Sequence, residues 1–197
     1  MKPAAQVEGV VLAAGLSSRC GGRYKMALPL GDKTVIEQSI AGMYGLVSRI
    51  WVVVGWQADE VEQLLCGYDK VELVSNPDYA AGMFGSVRVG VARVRARRFF
   101  LQPGDCPLIP ARVYKQLLAA PGEIVIPTYG HKRGHPVLFD GKLASEILAQ
   151  PADSTLRDYV HAKGYNTVPV GDRGILLDID TLQDYDLICE LYRDYRL

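Results

Sequence analysis

Short apolar, β-branched runs alternate with longer helical patterns along the whole chain, and this alternation constrains the fold more than any other feature. Several of the runs are apolar throughout, as buried parallel strands are, because helices cover such strands on both faces. The alternation predicts an α/β fold, namely a three-layer α/β/α domain around a Rossmann-like, mostly parallel sheet. The predicted strands are residues 9–13, 49–55, 70–75, 97–102, 123–127, 166–170 and 174–179.

Two capping patterns mark where helices begin. Thr34 is followed three residues later by Glu37, which is a capping box, and Thr181 is followed by Asp184 in a similar arrangement. The stretch TYGHKRGHPVLF is interrupted by glycine and proline, and we expect it to carry a short antiparallel piece. The predicted helices include residues 35–47, 59–68, 110–120 and a final helix after Thr181.

The bulk composition favours one folded domain and excludes several functional classes. An apolar content of 49% in 197 residues can fill a sizeable core. Twenty-two basic residues balance twenty-two acidic ones, so no global charge attracts nucleic acid or an anionic membrane. The four cysteines are too far apart in sequence to indicate disulfides or a structural zinc site. No apolar run approaches the ~20 residues of a membrane span. We therefore expect a single domain over residues 1–197, cytoplasmic, with neither nucleic-acid nor membrane partners.

The stretch VVLAAGLSSRCGGRYKMALPL runs from a predicted strand into a loop of small and basic residues. Its glycines permit close backbone approach, and the N–H groups of such a loop can hold an anion. Its serines add hydroxyl donors, and three cations within seven residues could neutralise most of a triphosphate. The spacing matches neither a Walker A loop nor a dinucleotide loop, and a flexible basic surface turn is the alternative. The residues concerned are Gly15, Gly21, Gly22, Ser17, Ser18, Arg19, Arg23 and Lys25.

Carboxylates at two other places predict a metal site. Asp105 follows the predicted strand 97–102, at the edge where open α/β sheets bind ligands, and a carboxylate there can hold Mg²⁺. We expect it at an exposed strand end, although it could simply close a turn with Pro107. Asp178 and Asp180 lie two residues apart and share one face if both are extended. Asp178 is the preferred second ligand, because Asp180 could instead help to start the last helix; Asp180 is the alternative ligand.

Two further segments could contact substrates. Gly82, Met83 and Ser86 precede or begin an amphipathic helix, where a glycine-rich turn can present backbone groups to a flat base. Ser86 could contact the base or act as the helix N-cap, and an ordinary helix cap is the alternative for the segment. His135 could orient a phosphate, or could be structural. Arg157 could hold a phosphate, or could be a surface arginine paired with a neighbouring aspartate.

Taken together, these segments carry a family resemblance. LAAGLSSRCGGRYK resembles the signature L-A-A-G-x-S-x-R-M-G-x-x-K of small-molecule nucleotidyltransferases, particularly of the molybdenum cofactor cytidylyltransferase family. The segments GMFGSVR, GDCP and DIDTLQD also match the family's ordered pattern, and RGHPVLF resembles a segment typical of the cytidylyltransferase branch. The first loop departs from the signature. If Arg19 is aligned, the family lysine falls at Tyr24; if Gly22 and Lys25 are aligned, one residue has been inserted.

The resemblance implies a fold of the nucleotide-diphospho-sugar transferase type and an enzyme that transfers CMP from CTP to the phosphate of molybdopterin, with Mg²⁺ as cofactor and release of pyrophosphate. The same scaffold serves a guanylyltransferase and a methylerythritol phosphate cytidylyltransferase, and a nucleotide-binding sensor or cofactor chaperone is the non-enzymatic alternative. Transient contacts with molybdoenzymes or their chaperones are also implied. The site residues implied are Arg19, Lys25 and Asp105 for catalysis; Leu12, Ala13, Ala14, Gly15, Ser17, Arg19, Lys25, Gly82, Met83 and Ser86 for the nucleotide; Arg133, Gly134, His135 and Arg157 for the acceptor; and Asp105, Asp178 and Asp180 for the metal.

Overall fold

The structure, a computed structural model, describes residues 7–17, 20 and 23–195. Strands and helices alternate along this part of the chain, as the apolar pattern predicts. The strands are β1 (Val7–Ala13), β2 (Pro29–Leu30), β3 (Lys33–Thr34), β4 (Ile50–Val54), β5 (Val71–Ser75), β6 (Arg98–Pro103), β7 (Ile124–Tyr129), β8 (Lys132–Arg133), β9 (Val137–Asp140) and β10 (Asn166–Pro169). The helices are α1 (Val35–Tyr44), α2 (Ala58–Leu65), α3 (Met83–Val91), α4 (Ala111–Ala119), α5 (Leu143–Leu148), α6 (Leu156–Lys163) and α7 (Leu182–Tyr195).

The main sheet is mostly parallel. Its order is β10-β7-β9-β6-β1-β4-β5, with β8 added to β7, while β2 and β3 form a separate hairpin. The pairs β6–β1, β1–β4, β4–β5 and β7–β10 are parallel. Strand β9 is antiparallel to both of its neighbours, β6 and β7, and β8 is antiparallel to β7. The antiparallel piece expected in TYGHKRGHPVLF is therefore confirmed, and it lies in the middle of the sheet.

Alternate residues of each central strand face opposite layers. In β1, Val11 packs into one apolar cluster with helices α1, α2 and α4, whereas Val10 packs into a second cluster with α3, α5 and α6. Strand β4 does the same, with Val52 in the first cluster and Val53 in the second. A period of two with apolar residues on both faces is what a sheet covered by helices on both sides requires. The predicted three-layer arrangement is confirmed.

Local hydrogen bonds place the helix starts where the capping patterns predict them. The Thr34 N–H and hydroxyl donate to the Glu37 carboxylate at 2.7 Å each, and α1 begins at the next residue. The Thr181 N–H donates to the Asp184 carboxylate at 2.7 Å, and α7 follows. No helix in the described ranges combines the length and the apolar content that crossing a bilayer would need.

The prediction of a strand at residues 174–179 is wrong. The chain forms a short 3₁₀ turn at Arg173–Leu176 and then crosses the carboxyl ends of the strands. Its backbone bonds go to loops, because the Ile175 carbonyl accepts from the His135 N–H at 2.9 Å and the Ile179 N–H donates to the Asp105 carbonyl at 3.1 Å. Strand β7 already pairs with β9 and β10, so the segment has no place beside it in the sheet. Its apolar pattern reflects burial of isoleucines without strand pairing.

A glycine allows this crossing segment to pack tightly. A Cβ atom added at Gly174 would lie 1.9 Å from the Leu108 carbonyl oxygen, which is far inside van der Waals contact. We expect Gly174→Ala to lower the free energy of unfolding by about 1–3 kcal/mol, the usual cost of overpacking. Urea denaturation should measure the loss, with Gly171→Ala as the control because its Cβ would meet nothing within 4 Å. Equal midpoints for the two variants would contradict the packing described here.

Candidate functional site

A cavity of about 900 Å³ opens at the carboxyl ends of β1 and β6. This is the edge at which open α/β sheets bind ligands, and the volume lies in the range of small-molecule sites. Its walls come from the end of β1, the start of α3, the end of β6, the segment before α6 and the crossing segment near Asp178. His135, between β8 and β9, also lines it, so six parts of the chain that are distant in sequence converge on one space.

The pairing of β1 with β6 brings the first loop beside Asp105. The two strands are in parallel register from Val7 to Leu12, and the Gly104 N–H extends the ladder by donating to the Leu12 carbonyl at 2.8 Å. Gly15 and Asp105 both line the cavity just beyond this point. Asp105 is only 8% exposed, so the expectation of an exposed strand end is wrong. The crossing segment covers it, with the Ile179 N–H bonded to its carbonyl.

Two hydrogen bonds that involve side chains tie the ends of the glycine-rich loop together. Ser17 has a left-handed backbone with φ of 52°, and its hydroxyl oxygen accepts from the Lys25 N–H at 3.2 Å. The Tyr24 hydroxyl donates to the Ala13 carbonyl at 3.0 Å from inside the core. Of the two possible alignments of the loop, the one that uses Lys25 places a cation in the cavity, whereas Tyr24 is buried. The predicted residues Arg19, Gly21, Gly22 and Ser18 lie outside the described residues.

Lys25 reaches across the cavity floor to the opposite wall. Its ammonium group forms an ion pair with the Asp105 carboxylate and donates to the Ile179 carbonyl at 2.9 Å. The Asp180 carboxylate lies 3.8 Å from the same nitrogen. The side chains of Lys25 and Asp105 are 11% and 12% exposed, so water screens their interaction little. The predicted phosphate-binding cation and the predicted metal ligand are therefore in direct contact.

The carboxylates in the cavity repel one another. Partial burial, followed by the charges of Asp105 and then Asp180, raises the pKa of Asp178 above its ordinary value of 3.8. Among the described lining residues, four carboxylates face two cations, Lys25 and Arg157. Within this described part of the wall the acidic charge exceeds the basic charge, which opposes entry of a polyphosphate unless positive charge is added.

The donor set fits a divalent metal with oxygen ligands. Asp105, Asp178 and Asp180 all line the cavity, and their mutual repulsion is what a bound cation would relieve. Within residues 7–17, 20 and 23–195, no three acidic, histidine or cysteine side chains are already arranged around one metal position. Mg²⁺ commonly takes only one or two carboxylates and completes its shell with water and phosphate oxygens. The arrangement suits that mode of binding better than a closed protein cage.

Backbone geometry at the start of α3 requires glycine. Gly82 has φ of 124°, a conformation that side chains rarely allow, and it forms the N-cap of the helix. Met83 follows at 69% exposure and lines the cavity. Ser86 lies inside α3, and its hydroxyl oxygen accepts from the Asn76 side-chain amide at 2.9 Å. Of the two roles predicted for Ser86, the N-cap is therefore wrong, and Ser86 is not among the residues that line the cavity.

The predicted acceptor residues separate into two groups. His135 and Arg157 line the cavity. Arg133 instead stacks on the ring of Tyr165, with its guanidinium carbon 5.0 Å from the ring centroid, and Gly134 packs against the backbone of the 3₁₀ turn. His135 Nδ1 is buried without a hydrogen-bond partner, and burial lowers the pKa of the imidazole, which favours a neutral ring.

Cys106 has no nucleophilic role in this geometry. It is buried, and burial together with the charge of Asp105 raises the pKa of its thiol well above the ordinary value. A protonated thiol is a poor nucleophile. The interpretation of Cys106 as a small buried residue is confirmed.

The sequence patterns missed the wall formed by the residues before α6. Ser154 and Thr155 line the cavity next to Arg157, and Thr155 is the N-cap, its hydroxyl oxygen accepting from the Asp158 N–H at 3.1 Å. The spacing Thr155-x-x-Asp158 indicates the helix start but gives no sign that the turn faces the site. Of the predicted residues, those brought to the cavity are Leu12, Gly15, Ser17, Lys25, Gly82, Met83, Asp105, His135, Arg157, Asp178 and Asp180; Ala13, Ala14, Ser86, Arg133 and Gly134 are described but do not line it.

The raised pKa of Asp178 predicts that its ionised carboxylate lowers the stability of the fold. Folding disfavours the ionised carboxylate, so its charge destabilises the fold above the raised pKa and not below the ordinary value of 3.8. We expect Asp178→Asn to melt at a higher temperature than wild type at neutral pH. The difference should shrink as the pH falls through the raised pKa, because wild-type Asp178 then becomes neutral too. A lower melting temperature for the variant at neutral pH would contradict this electrostatic assignment.

Comparisons with known proteins identify relatives over most of the chain. Over 189 residues, 95% of this chain and 98% of the relative, the chain is 28% identical to the molybdenum cofactor cytidylyltransferase of Escherichia coli (strain K12). It is 29% identical to the molybdenum cofactor guanylyltransferase of Shewanella pealeana over 68% of this chain and 67% of that protein.

Solved structures of similar sequence superimpose on nearly the whole chain. The crystal structure of Rv0371c from Mycobacterium tuberculosis H37Rv superimposes with a TM-score of 0.82 at 28% identity, covering 95% of this chain and all of that one. Its complex with manganese gives a TM-score of 0.73 at 27% identity, over 95% of this chain and all of that one. Residues 9–167 match the family described as the MobA-like NTP transferase domain, and the chain belongs to that family.

Proposed function

We propose that the protein transfers CMP from CTP to the terminal phosphate of molybdopterin and releases pyrophosphate. The observation that carries this proposal is the meeting of Lys25 from the glycine-rich loop with Asp105 at the carboxyl edge of the sheet. A cation for phosphates and a carboxylate for a metal are the equipment that nucleotidyl transfer needs, since positioning and charge neutralisation dominate such reactions.

The metal in this proposal is Mg²⁺, held by Asp105 and Asp178, with Asp180 as the alternative second ligand. A bound divalent ion would polarise the phosphate oxygens and template substrate and leaving group. The excess of carboxylates over cations in the described cavity wall supports this assignment. So does the manganese complex of Rv0371c, because that relative shares 27% of its sequence with this chain.

The chain's own residues perform the remaining tasks. The backbone at Gly15 and the Lys25 ammonium group hold the phosphates, and Arg19 is proposed to add a second cation there. An oxygen of the acceptor phosphate forms a new bond to the α-phosphorus, the bond from that phosphorus to the bridging oxygen breaks, and pyrophosphate leaves with the electron pair. No protein nucleophile is needed, which agrees with the protonated thiol of Cys106.

The acceptor is proposed to bind at the far wall of the cavity. Arg157, from the first turn of α6, supplies a cation there, and His135 presents a neutral ring to the same space. An arginine fork suits a phosphate group, and the N-terminus of the eight-residue helix adds favourable backbone polarity. Arg133 takes no part in this proposal, because it is stacked on Tyr165 outside the cavity lining.

CTP is preferred over GTP as the donor because similarity to the cytidylyltransferase extends over nearly the whole of both chains. Similarity to the guanylyltransferase covers about two thirds of each, and GTP is the second candidate for that reason. A nucleotide sensor without catalysis would not need the carboxylates that the cavity keeps. The base is proposed to lie against the Gly82–Met83 turn.

Pyrophosphate release from each of the four nucleoside triphosphates, with Mg²⁺ and molybdopterin, tests the proposal. With acceptor present, we expect rapid release from CTP and not from the other three triphosphates. Without acceptor, we expect no release. Asp105→Asn should abolish the release while the variant still binds CTP and keeps its circular dichroism spectrum, because it removes a metal charge while conserving side-chain shape. Tight binding of CTP with no pyrophosphate from any acceptor would overturn the enzymatic proposal in favour of a sensor.

Lys25 and Arg23, the two cations of the loop that the structure describes, should contribute differently to kcat. We expect Lys25→Ala to lower kcat about a hundredfold, in line with losing one preorganised charge contact to the reacting phosphates. Arg23→Ala should change kcat far less, because Arg23 is exposed and is not among the residues that line the cavity. Single-turnover rates at saturating CTP give the comparison, and the reverse order of effects would show that the loop alignment is shifted.

A further inference from the structure

Oxygen atoms of Asp105, Ile179 and Asp180 surround the Lys25 ammonium group in the cavity. The group contacts the Asp105 carboxylate, the Ile179 carbonyl at 2.9 Å and, at 3.8 Å, the Asp180 carboxylate. These are hard oxygen ligands of the kind that a divalent cation prefers. The Lys25 ammonium group therefore contacts oxygen atoms that the proposed metal would need as ligands.

The backbone fixes the base of this lysine from the opposite side. The Lys25 N–H is bonded to the Ser17 hydroxyl, and the neighbouring Tyr24 is anchored to the Ala13 carbonyl. The Cα atom of Lys25 is therefore constrained, while the side chain has four rotatable bonds with which to redirect its ammonium group. Both Asp105 and the glycine-rich loop line the cavity, so the two destinations lie within one space.

We infer that Lys25 competes with the divalent metal for Asp105, so that the metal binds tightly only when nucleotide phosphates draw the lysine away. This inference rests on the proposed function, because it takes both the metal and the nucleotide polyphosphate from that proposal. Breaking the ion pair alone would leave a largely buried carboxylate uncompensated, which is costly. Exchange of the lysine for a metal keeps Asp105 neutralised, and the phosphates supply the lysine with a new partner.

The consequence is a coupling between two ligands. A metal arriving alone must displace the ammonium group into water, and a nucleotide arriving alone must compete with Asp105 for the same group. When both arrive, each removes the obstacle to the other, so each raises the affinity for its partner by the same factor. The protein then avoids holding a metal ion without a substrate to activate.

Binding of Mn²⁺ in the absence of any nucleotide tests the competition, with the free ion followed by electron paramagnetic resonance. Lys25→Met keeps a long unbranched side chain and removes the charge. We expect it to bind Mn²⁺ at least about tenfold more tightly than wild type, the scale on which one adjacent opposite charge shifts an ionic equilibrium. Lys25→Gln should give the same result, and it provides a second readout if the methionine variant is unstable.

Two control variants make the result specific. Lys115→Met removes one positive charge from an exposed position on α4 and should leave Mn²⁺ binding unchanged. The double variant Lys25→Met with Asp105→Asn should lose the gain. Equal binding by wild type and both Lys25 variants would overturn the inference, as would a gain of the same size in Lys115→Met or a gain that survives in the double variant.

The titration contains neither CTP nor acceptor, so its outcome is independent of turnover. A wild-type protein that releases no pyrophosphate from any triphosphate would refute the proposed function, while tighter Mn²⁺ binding by the Lys25 variants would still support the exchange. Conversely, an active enzyme whose Lys25 variants bind Mn²⁺ no more tightly would retain its function and lose this inference.

Discussion

The parallel pairing of β1 with β6 is the constraint on which the rest of the site depends. The register ends with Leu12 beside Pro103, and the next backbone bond, from Gly104 to the Leu12 carbonyl, carries the two chains out of the sheet side by side. One chain continues into the glycine-rich loop and the other into Asp105. Without this register the glycine-rich loop and an acidic residue that are distant in sequence would have no reason to share a cavity.

Much of the fold could be predicted from the sequence because buried parallel strands leave an unambiguous mark. The strands β1, β4, β5, β6 and β7 were within reach of simple pattern reasoning, since each is a short run of largely apolar residues. The start of α1 was equally accessible, because Thr34 and Glu37 form a local hydrogen-bonded unit that depends on no distant residue.

The failures have a common physical origin in long-range contacts. Residues 174–179 are apolar because they cover the strand ends, and nothing local distinguishes such a cover from a strand. The family resemblance of RGHPVLF places Arg133 and His135 together at the acceptor, yet only His135 lines the cavity, while Arg133 stacks on Tyr165. The turn at Ser154 and Thr155 lines the cavity although no sequence pattern indicates it. Its place in the wall depends on how α6 packs against the sheet.

Two hydrogen bonds at the ends of the glycine-rich loop fix where the loop leaves and rejoins the rest of the fold. The bonds from the Tyr24 hydroxyl to the Ala13 carbonyl and from the Lys25 N–H to the Ser17 hydroxyl tie the two ends of the loop together. Neither bond uses a residue between positions 18 and 23, so a change of length or sequence there would leave Tyr24 and Lys25 with the same two anchoring partners.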